Sequence, residues 1–130
     1  MILYLESSAA AKLLVEEPES GALAAHLDAA VVGGDQVVSC VLLETELRQL
    51  AVRVGVSQAA VTELLERVDV AELERAQFRT AGLLSGDQLR SLDALHVASA
   101  LRWQADAVLT YDHRQADAVE AAGIRVLAPG

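Results

Sequence analysis

The sequence predicts an α/β fold, a three-layer α/β/α sandwich in which helices cover both faces of a mostly parallel central sheet. Three observations support this prediction. Short apolar runs typical of buried strands alternate with longer segments of helical periodicity. The 130 residues are 53% hydrophobic, which is enough to bury the core of one domain spanning residues 1–130. No internal repeat, low-complexity tract or linker interrupts the sequence.

The first strand is predicted at residues 2–5, an apolar run far too short for a signal peptide or a membrane span. Glu6 follows directly, which places a carboxylate at the carboxyl end of this strand. Ser7 or Ser8 can cap the next helix by accepting a backbone N–H. The alternative is that one of these hydroxyls also faces Glu6.

Two helices and a second strand come next. An alanine-rich helix is predicted through Val15 and is closed by Pro18, and an amphipathic helix opens at Glu19. Gly33-Gly34-Asp35 predicts a turn, because the lysine and the spacing of a phosphate-binding loop are missing. The β-branched run at residues 36–39 predicts the second strand.

A helix with two glutamates is predicted from Cys40 to Val54. Residues two apart on a helix are separated by roughly 200° of rotation, so at most one of the two can point into a given cleft. Glu46 adjoins the inner apolar stripe and is predicted to face inward. Glu44 is predicted to lie outside, where Arg48 is four residues away and can pair with it.

The segment from Gly55 to Leu84 is interpreted as structural. Ser57 is predicted to cap one helix, residues 68–70 form a short strand or an extended link, and a further helix runs from about Ala71 to Leu84. Ser85-Gly86-Asp87 then predicts a turn.

Two more acids lie in the stretch that follows. A helix is predicted to begin at Ser91, with Asp93 in its first turn and a broad apolar face that includes Leu92 and Leu101. Residues 107–109 predict a buried parallel strand, and Asp112 stands where that strand ends. A last helix over residues 116–122 and a final strand over residues 124–127 complete the sheet.

Four carboxylates stand out by location: Glu6, Glu46, Asp93 and Asp112. In a parallel sheet the carboxyl ends of the strands share one edge, so these acids are expected to meet in one pocket. Like charges at short range destabilise a fold, and a persistent acid cluster therefore indicates a bound cation. Oxygen ligands suit Mg²⁺ or Mn²⁺, ions that can activate water against a phosphodiester.

Charge and cysteine usage narrow the alternatives. A net charge of -9 argues against a general nucleic-acid coat or a membrane-surface binder, although it leaves room for a site where a cation supplies the positive charge. The single Cys40 excludes an intramolecular disulfide and a cysteine zinc site, which favours a reducing, cytoplasmic setting.

The same residues resemble a known family, the PIN domain, and within it the VapC-like toxins of toxin–antitoxin pairs. The resemblance lies in LYLESSAAAKLLVEEPES, VSCVLLETELRQLA, LDALHVASAL and VLTYDHRQADAVEAAGIRVL, which together cover most of the chain except roughly residues 55–85. It implies an Mg²⁺- or Mn²⁺-dependent endoribonuclease that cuts structured RNA. It also implies a small cognate antitoxin as partner, and either a homodimer or a heterocomplex with that antitoxin.

The resemblance also assigns roles to individual positions. The four family acids fall on Glu6, Glu46, Asp93 and Asp112. The accompanying hydroxyl falls on Ser8, with Thr110 as a second candidate, and Arg114 is the cationic residue expected to help near the substrate. Glu6 departs from the family, which usually has Asp there; the extra methylene moves the carboxylate outward by roughly 1.5 Å.

The histidines have less specific interpretations. His96 lies on the apolar helix three residues after Asp93 and is predicted to be a packed or supporting group rather than a metal ligand. His113 could stay exposed or contact a phosphate. The few aromatic residues are too scattered to form a base-stacking platform, so RNA would be held through its backbone and the ions.

Two other classes of function fit the sequence. One is a metal-dependent phosphoryl-transfer enzyme acting on a small substrate; an aspartyl-phosphate mechanism would need two Asp after the first strand, where Glu6 is followed by two serines. The other is a non-catalytic interaction module whose apolar groove binds a partner helix, and the small residues Ala9, Ala10 and Ala11 would suit such a contact.

Overall fold

The computed structural model describes residues 1–86 and 88–130; Asp87, part of the predicted turn after Leu84, lies outside the described residues. The strands are β1 (Ile2–Leu5), β2 (Gln36–Cys40), β3 (Asp69–Ala71), β4 (Ala107–Leu109) and β5 (Arg125–Leu127). The helices are α1 (Ser7–Ala11), α2 (Ser20–Val32), α3 (Leu42–Val54), α4 (Gln58–Glu66), α5 (Arg75–Leu83), α6 (Ser91–Trp103) and α7 (His113–Ala121). None of the helices in this described part of the chain combines the length and apolar character needed to cross a bilayer.

The strands form one sheet in the order β3-β2-β1-β4-β5, and every neighbouring pair is parallel. The chain therefore builds outward from β1 in one direction through β2 and β3, and in the other through β4 and β5. The carboxyl ends of β1 and β4 flank the point where the order reverses, which is where open α/β sheets form a crevice. Leu5 is in register with Leu109, and the Glu6 N–H donates to the Leu109 carbonyl at 3.1 Å.

Two apolar layers cover the sheet, which confirms the predicted three-layer architecture. Alternate residues of β1 point to opposite faces, as a strand requires: Leu3 and Leu5 pack with α1, α2, α3 and α4, whereas Tyr4 packs with α6 and α7. Ala9 and Ala10 are fully buried in the first of these layers. Their small size serves the core, so they do not supply the open groove suggested for a partner helix.

Several predicted helix limits are wrong for identifiable reasons. Helix α1 ends at Ala11 instead of continuing to Val15, because the next residues change to tighter i to i−3 bonds and the Ser20 hydroxyl donates to the Lys12 carbonyl at 2.6 Å. Helix α5 begins at Arg75 instead of Ala71, because Ala71 belongs to β3 and pairs with Cys40 of β2. The Ser57 cap of α4 is confirmed.

The ends of the last two long elements also differ from expectation. Helix α7 begins at His113 rather than Ala116, because the Asp112 carboxylate accepts backbone N–H bonds from Arg114 and Gln115 and so caps it. In α6 seven consecutive residues, from Ala94 to Ala100, are buried, so burial is not confined to one face of the helix. Leu92 and Leu101 were expected on the apolar face, but they are 50% and 36% exposed.

Candidate active site at the carboxyl edge of the sheet

Glu6 is a buried carboxylate held by local hydroxyls. It is 5% exposed, and its Oε2 accepts from the Ser8 N–H at 3.0 Å, from the Ser8 hydroxyl, and from the Thr110 hydroxyl at 2.8 Å. The side chain caps α1, so the cap predicted at Ser7 or Ser8 is supplied by Glu6 itself. Ser8 instead takes the alternative position, with its hydroxyl on the carboxylate. Within residues 1–86 and 88–130 every donor to this carboxylate contacts Oε2, which leaves Oε1 for another ligand.

The negative charge of Glu6 is disfavoured by its burial. Burial raises its pKa above the ordinary value, against the lowering effect of the Ser8 and Thr110 hydrogen bonds and of the nearby His96. Burial disfavours the charged form because water no longer solvates it. Three donors thus hold the Glu6 carboxylate, but they do not fully offset the effect of burial on its charged form.

Asp112 lies on the neighbouring strand end and is joined to Glu6 through Thr110. The Asp112 N–H donates to the Thr110 hydroxyl at 3.2 Å, and that hydroxyl donates to Glu6. Asp112 Oδ1 accepts from the N–H groups of Arg114 and Gln115 at 2.9 and 3.3 Å. The N-terminus of α7 thereby fixes the carboxylate at the crevice.

Asp93 approaches Asp112 from the first turn of α6. Burial, together with the negative charge of Asp112, raises the pKa of Asp93. The Gln115 side-chain amide, which is buried, donates to the Asp93 carbonyl at 3.1 Å and ties the start of α6 to the start of α7. Two carboxylates therefore stand close enough to repel each other, and the fold keeps them there.

Glu46 reaches the same region from α3 through His96. The two side chains meet at 2.6 Å between Glu46 Oε1 and His96 Nε2, while Glu44 pairs with Arg48 at 2.9 Å on the outside. The predicted orientation of both glutamates is confirmed. Burial alone would lower the pKa of His96, but contacts with Cys40 and Glu46 raise it to about 10.

Glu6, Asp93 and Asp112 thus lie at the same edge of the sheet, and Glu46 is held near it by His96, without forming a closed cage. In the described ranges, no three carboxylate, imidazole or thiol groups are already arranged to hold a metal ion. The reason is visible in the contacts above, because Glu6 and Glu46 each bind N–H or O–H donors. The donor chemistry nevertheless fits a hard divalent cation: the free atoms are carboxylate oxygens, and the Asp93 and Asp112 pair accumulates negative charge.

An open cleft borders the acids and contains the remaining candidates for substrate contact. Thr110, Asp112 and the exposed His113 line it together with Lys12. The Lys12 amine is paired with Glu17 and Glu19, so it is not a free phosphate ligand. Arg114 donates its backbone N–H to Asp112, but its side chain lines a separate cavity beside Leu89 and Asp117.

Two supporting residues make contacts that the sequence does not predict. Asp112 and Gln115 have the capping-box spacing, which predicts a Gln115 contact with the Asp112 N–H. The Gln115 amide instead donates to the Asp93 carbonyl, a contact that no local pattern predicts. His96 was expected only to pack or support, and its specific contact with Glu46 depends on how α3 and α6 sit against the sheet.

Comparison with known proteins decides the family. The family model described as PIN domain matches residues 3–121. The chain belongs to the PIN-domain family. Glu6, Asp93 and Asp112 all lie within the matched part of this PIN domain, as does Glu46.

Curated relatives place the PIN domain among VapC-like chains. It is 36% identical over 130 residues to Ribonuclease VapC46 of Mycobacterium tuberculosis strain H37Rv, covering 98% of this chain and 97% of the relative. It is 33% identical over 135 residues to Ribonuclease VapC47 of strain CDC 1551, covering 99% and 98%.

Solved structures share its fold at low sequence identity. VapBC2 from Rickettsia felis, bound to a DNA fragment from the promoter, superposes with a TM-score of 0.79 at 13% identity and covers 100% of both chains. Mycobacterium tuberculosis VapC20, described as a sarcin-ricin loop cleaving toxin, gives 0.76 at 17% identity and covers 98% of this chain and 99% of that one. The PIN-like fold expected from the sequence is therefore confirmed.

Proposed function

We propose that this protein is a divalent-metal-dependent endoribonuclease and the toxin of a toxin–antitoxin pair. The observation that carries the proposal is the set of acids at the switch point between β1 and β4, where the Thr110 hydroxyl donates to Glu6 and accepts from the Asp112 backbone N–H, and where the charge of Asp112 raises the pKa of Asp93. Relatives named Ribonuclease VapC, similar over nearly the full length, support the same reaction.

Mg²⁺ or Mn²⁺ is proposed as the cofactor, held by Asp93 and Asp112 with Glu6 and Glu46 completing the negative site. When bound, such an ion lowers the pKa of a coordinated water and stabilises the charge that develops on the phosphodiester oxygens. Glu6 offers Oε1 to this site while its Oε2 stays fixed by Ser8 and Thr110. The longer Glu side chain in place of the family's usual Asp is accommodated by these two hydroxyls.

The chain's own groups then bind and orient the RNA. Ser8 and Thr110 hold Glu6 through their hydroxyls, Ser8 as a member of the proposed catalytic group and Thr110 as a proposed substrate contact. We propose Arg114 as the cationic contact to the RNA backbone, reached from the separate cavity that its side chain lines beside Leu89, and His113 as a second contact from the open cleft beside Asp112. Positive charge at the reacting phosphate comes mainly from the ion, which reconciles an acidic protein with a polyanionic substrate.

The nuclease proposal is tested by incubating the purified protein with total cellular RNA, with and without Mn²⁺, and mapping the new ends. We expect discrete new ends that require the ion and disappear with EDTA. Fragments at random positions, or the same ends without divalent ion, would contradict the proposal. Parallel assays on small phosphate esters test the phosphoryl-transfer alternative, for which we expect no turnover.

A small antitoxin is the proposed partner, in a heterocomplex or with the toxin as a homodimer. The similar structures of VapBC2 and of FitAB bound to a DNA fragment are complexes named for two components. We expect that expression of this chain alone arrests growth and that co-expression of a small protein encoded beside it restores growth and co-purifies. Growth arrest that no neighbouring gene relieves would contradict the proposal of an antitoxin partner.

A further inference from the structure

His96 occupies an unusual position among the buried side chains, at the junction of β1, α1, α3 and α6. It is 2% exposed, its Nε2 lies 2.6 Å from Glu46 Oε1, and its Nδ1 lies 2.7 Å from the Tyr4 hydroxyl oxygen. The Ser7 hydroxyl lies 3.3 Å from Nε2. An ionised carboxylate only accepts hydrogen bonds, so Nε2 carries a proton and donates it to Glu46.

We propose that His96 is a positioning residue that holds the Glu46 carboxylate at the acidic edge of the sheet. This inference rests on the proposed function, since Glu46 matters there as one of the acids around the ion. The role is distinct from metal ligation, because both ring nitrogens already face protein groups.

The need for such a residue follows from the setting of Glu46. Its side chain is 28% exposed on the surface of α3, and in the described residues His96 provides its one hydrogen bond. A glutamate so placed samples several rotamers in solution, and fixing it has an entropic cost that a buried partner can offset. Outer hydrogen bonds of this kind orient metal-binding carboxylates and histidines in many proteins.

The imidazole can do this because it is itself immobilised. Tyr4 packs edge-on against the ring, with ring centroids 5.8 Å apart and planes at 78°, and its hydroxyl contacts Cys40 Sγ at 3.3 Å. Tyr4 is fully buried on the central strand. A chain of contacts therefore runs from Cys40 on β2 through Tyr4 on β1 and His96 on α6 to Glu46 on α3.

Helix α6 carries both His96 and one of the four acids, Asp93. Asp93 and His96 are three residues apart and so lie about one turn apart on the same side of the helix. Helix α6 thus supplies one acid of the cluster directly and fixes another through the histidine. A shift of α6 would move both together.

The test compares His96→Gln with His96→Leu. The Gln amide can replace the Nε2–H donor, whereas Leu fills similar space without any donor. We expect His96→Leu to weaken Mn²⁺ binding and RNA cleavage on the order of 10- to 100-fold, and His96→Gln to recover most of both. Tyr4→Phe keeps the ring and removes the hydroxyl, and it should give a smaller loss while remaining folded by circular dichroism.

A readout independent of catalysis separates this inference from the proposed function. In the wild-type protein we expect a downfield, exchange-protected proton on His96 Nε2 by NMR, and Glu46→Gln should shift it upfield. Wild-type protein that neither binds Mn²⁺ nor cuts RNA would overturn the proposed function. A ring proton indifferent to Glu46→Gln, or full Mn²⁺ affinity in a folded His96→Leu variant, would overturn the positioning role.

Discussion

Asp93→Asn is expected to abolish RNA cleavage, with a loss of about 100-fold or more, while the fold stays intact. The change keeps the shape of the side chain but removes the charge that faces Asp112 at the start of α6. Metal-assisted hydrolysis depends on that charge, and misplacement of a catalytic ion on the ångström scale has effects of this size. Single-turnover cleavage of an RNA identified by end mapping measures the loss, and circular dichroism checks the fold.

A matched control removes a carboxylate of the same kind from a different place. Asp117 is exposed on α7 and lines the cavity beside Arg114 rather than the acidic edge. Asp117→Asn should cleave within about twofold of wild type, in line with the small effects of surface substitutions. Equal activity of Asp93→Asn and wild type would remove Asp93 from the mechanism.

The second large effect is expected in thermal stability with and without a divalent ion. Mn²⁺ at 100 times its dissociation constant should stabilise the native state by about 2.7 kcal/mol, which raises Tm by about 10 °C for a domain of this size. The ion binds only the assembled acids, so the increase should vanish in Asp93→Asn. Differential scanning fluorimetry with Mn²⁺ or EDTA measures it.

The same variant should behave in the opposite way when no ion is present. The pKa values of Glu6 and Asp93 are raised in the folded state, from ordinary values of 4.5 and 3.8. The folded state then binds protons more tightly than the unfolded state, so stability falls as pH rises through this window and is lowest once both groups are charged. In EDTA at pH 7.5, Asp93→Asn should have a higher Tm than wild type, and this difference in Tm should decrease toward pH 4.

The Tm difference between wild type and Asp93→Asn should therefore have opposite signs in Mn²⁺ and in EDTA. We expect the Tm of wild type to be higher than that of Asp93→Asn in Mn²⁺ and lower than that of Asp93→Asn in EDTA. Asp117→Asn provides the control, because it should follow wild type in both buffers. A wild-type Tm that is the same in Mn²⁺ and EDTA would contradict the ion site, and an Asp93→Asn variant less stable in EDTA would contradict the repulsion between Asp93 and Asp112.

The sequence was sufficient to predict where the strand-end acids lie. A carboxylate directly after a buried run must emerge at the carboxyl end of that strand, and parallel pairing then places Glu6 beside residue 110 and near Asp112. Helix rotation showed that only one of Glu44 and Glu46 can face the cleft, and the position of Glu46 beside the inner apolar stripe indicated which one. Such arguments succeed because they depend on periodicity and strand direction, which are local properties.

Other features depended on contacts between elements that no local pattern specifies. The pairing of Glu46 with His96 joins two helices fifty positions apart in the chain. The predicted apolar face of α6 was wrong at Leu92 and Leu101 because small residues allow that helix to pack deeply on the sheet, and burial then spreads around much of it. Helix α7 begins three residues before the predicted Ala116, because the Asp112 carboxylate accepts the first backbone N–H groups of the helix.

We propose that a bound divalent cation neutralises the acids at the edge between β1 and β4. The most direct measurement is the anomalous scattering of Mn²⁺ in crystals of the wild-type protein grown or soaked with the ion. We predict a peak within coordination distance of the Asp93 and Asp112 carboxylates, with Glu6 Oε1 turned toward it. A map without a peak at this edge, at a concentration that supports RNA cleavage, would contradict the account.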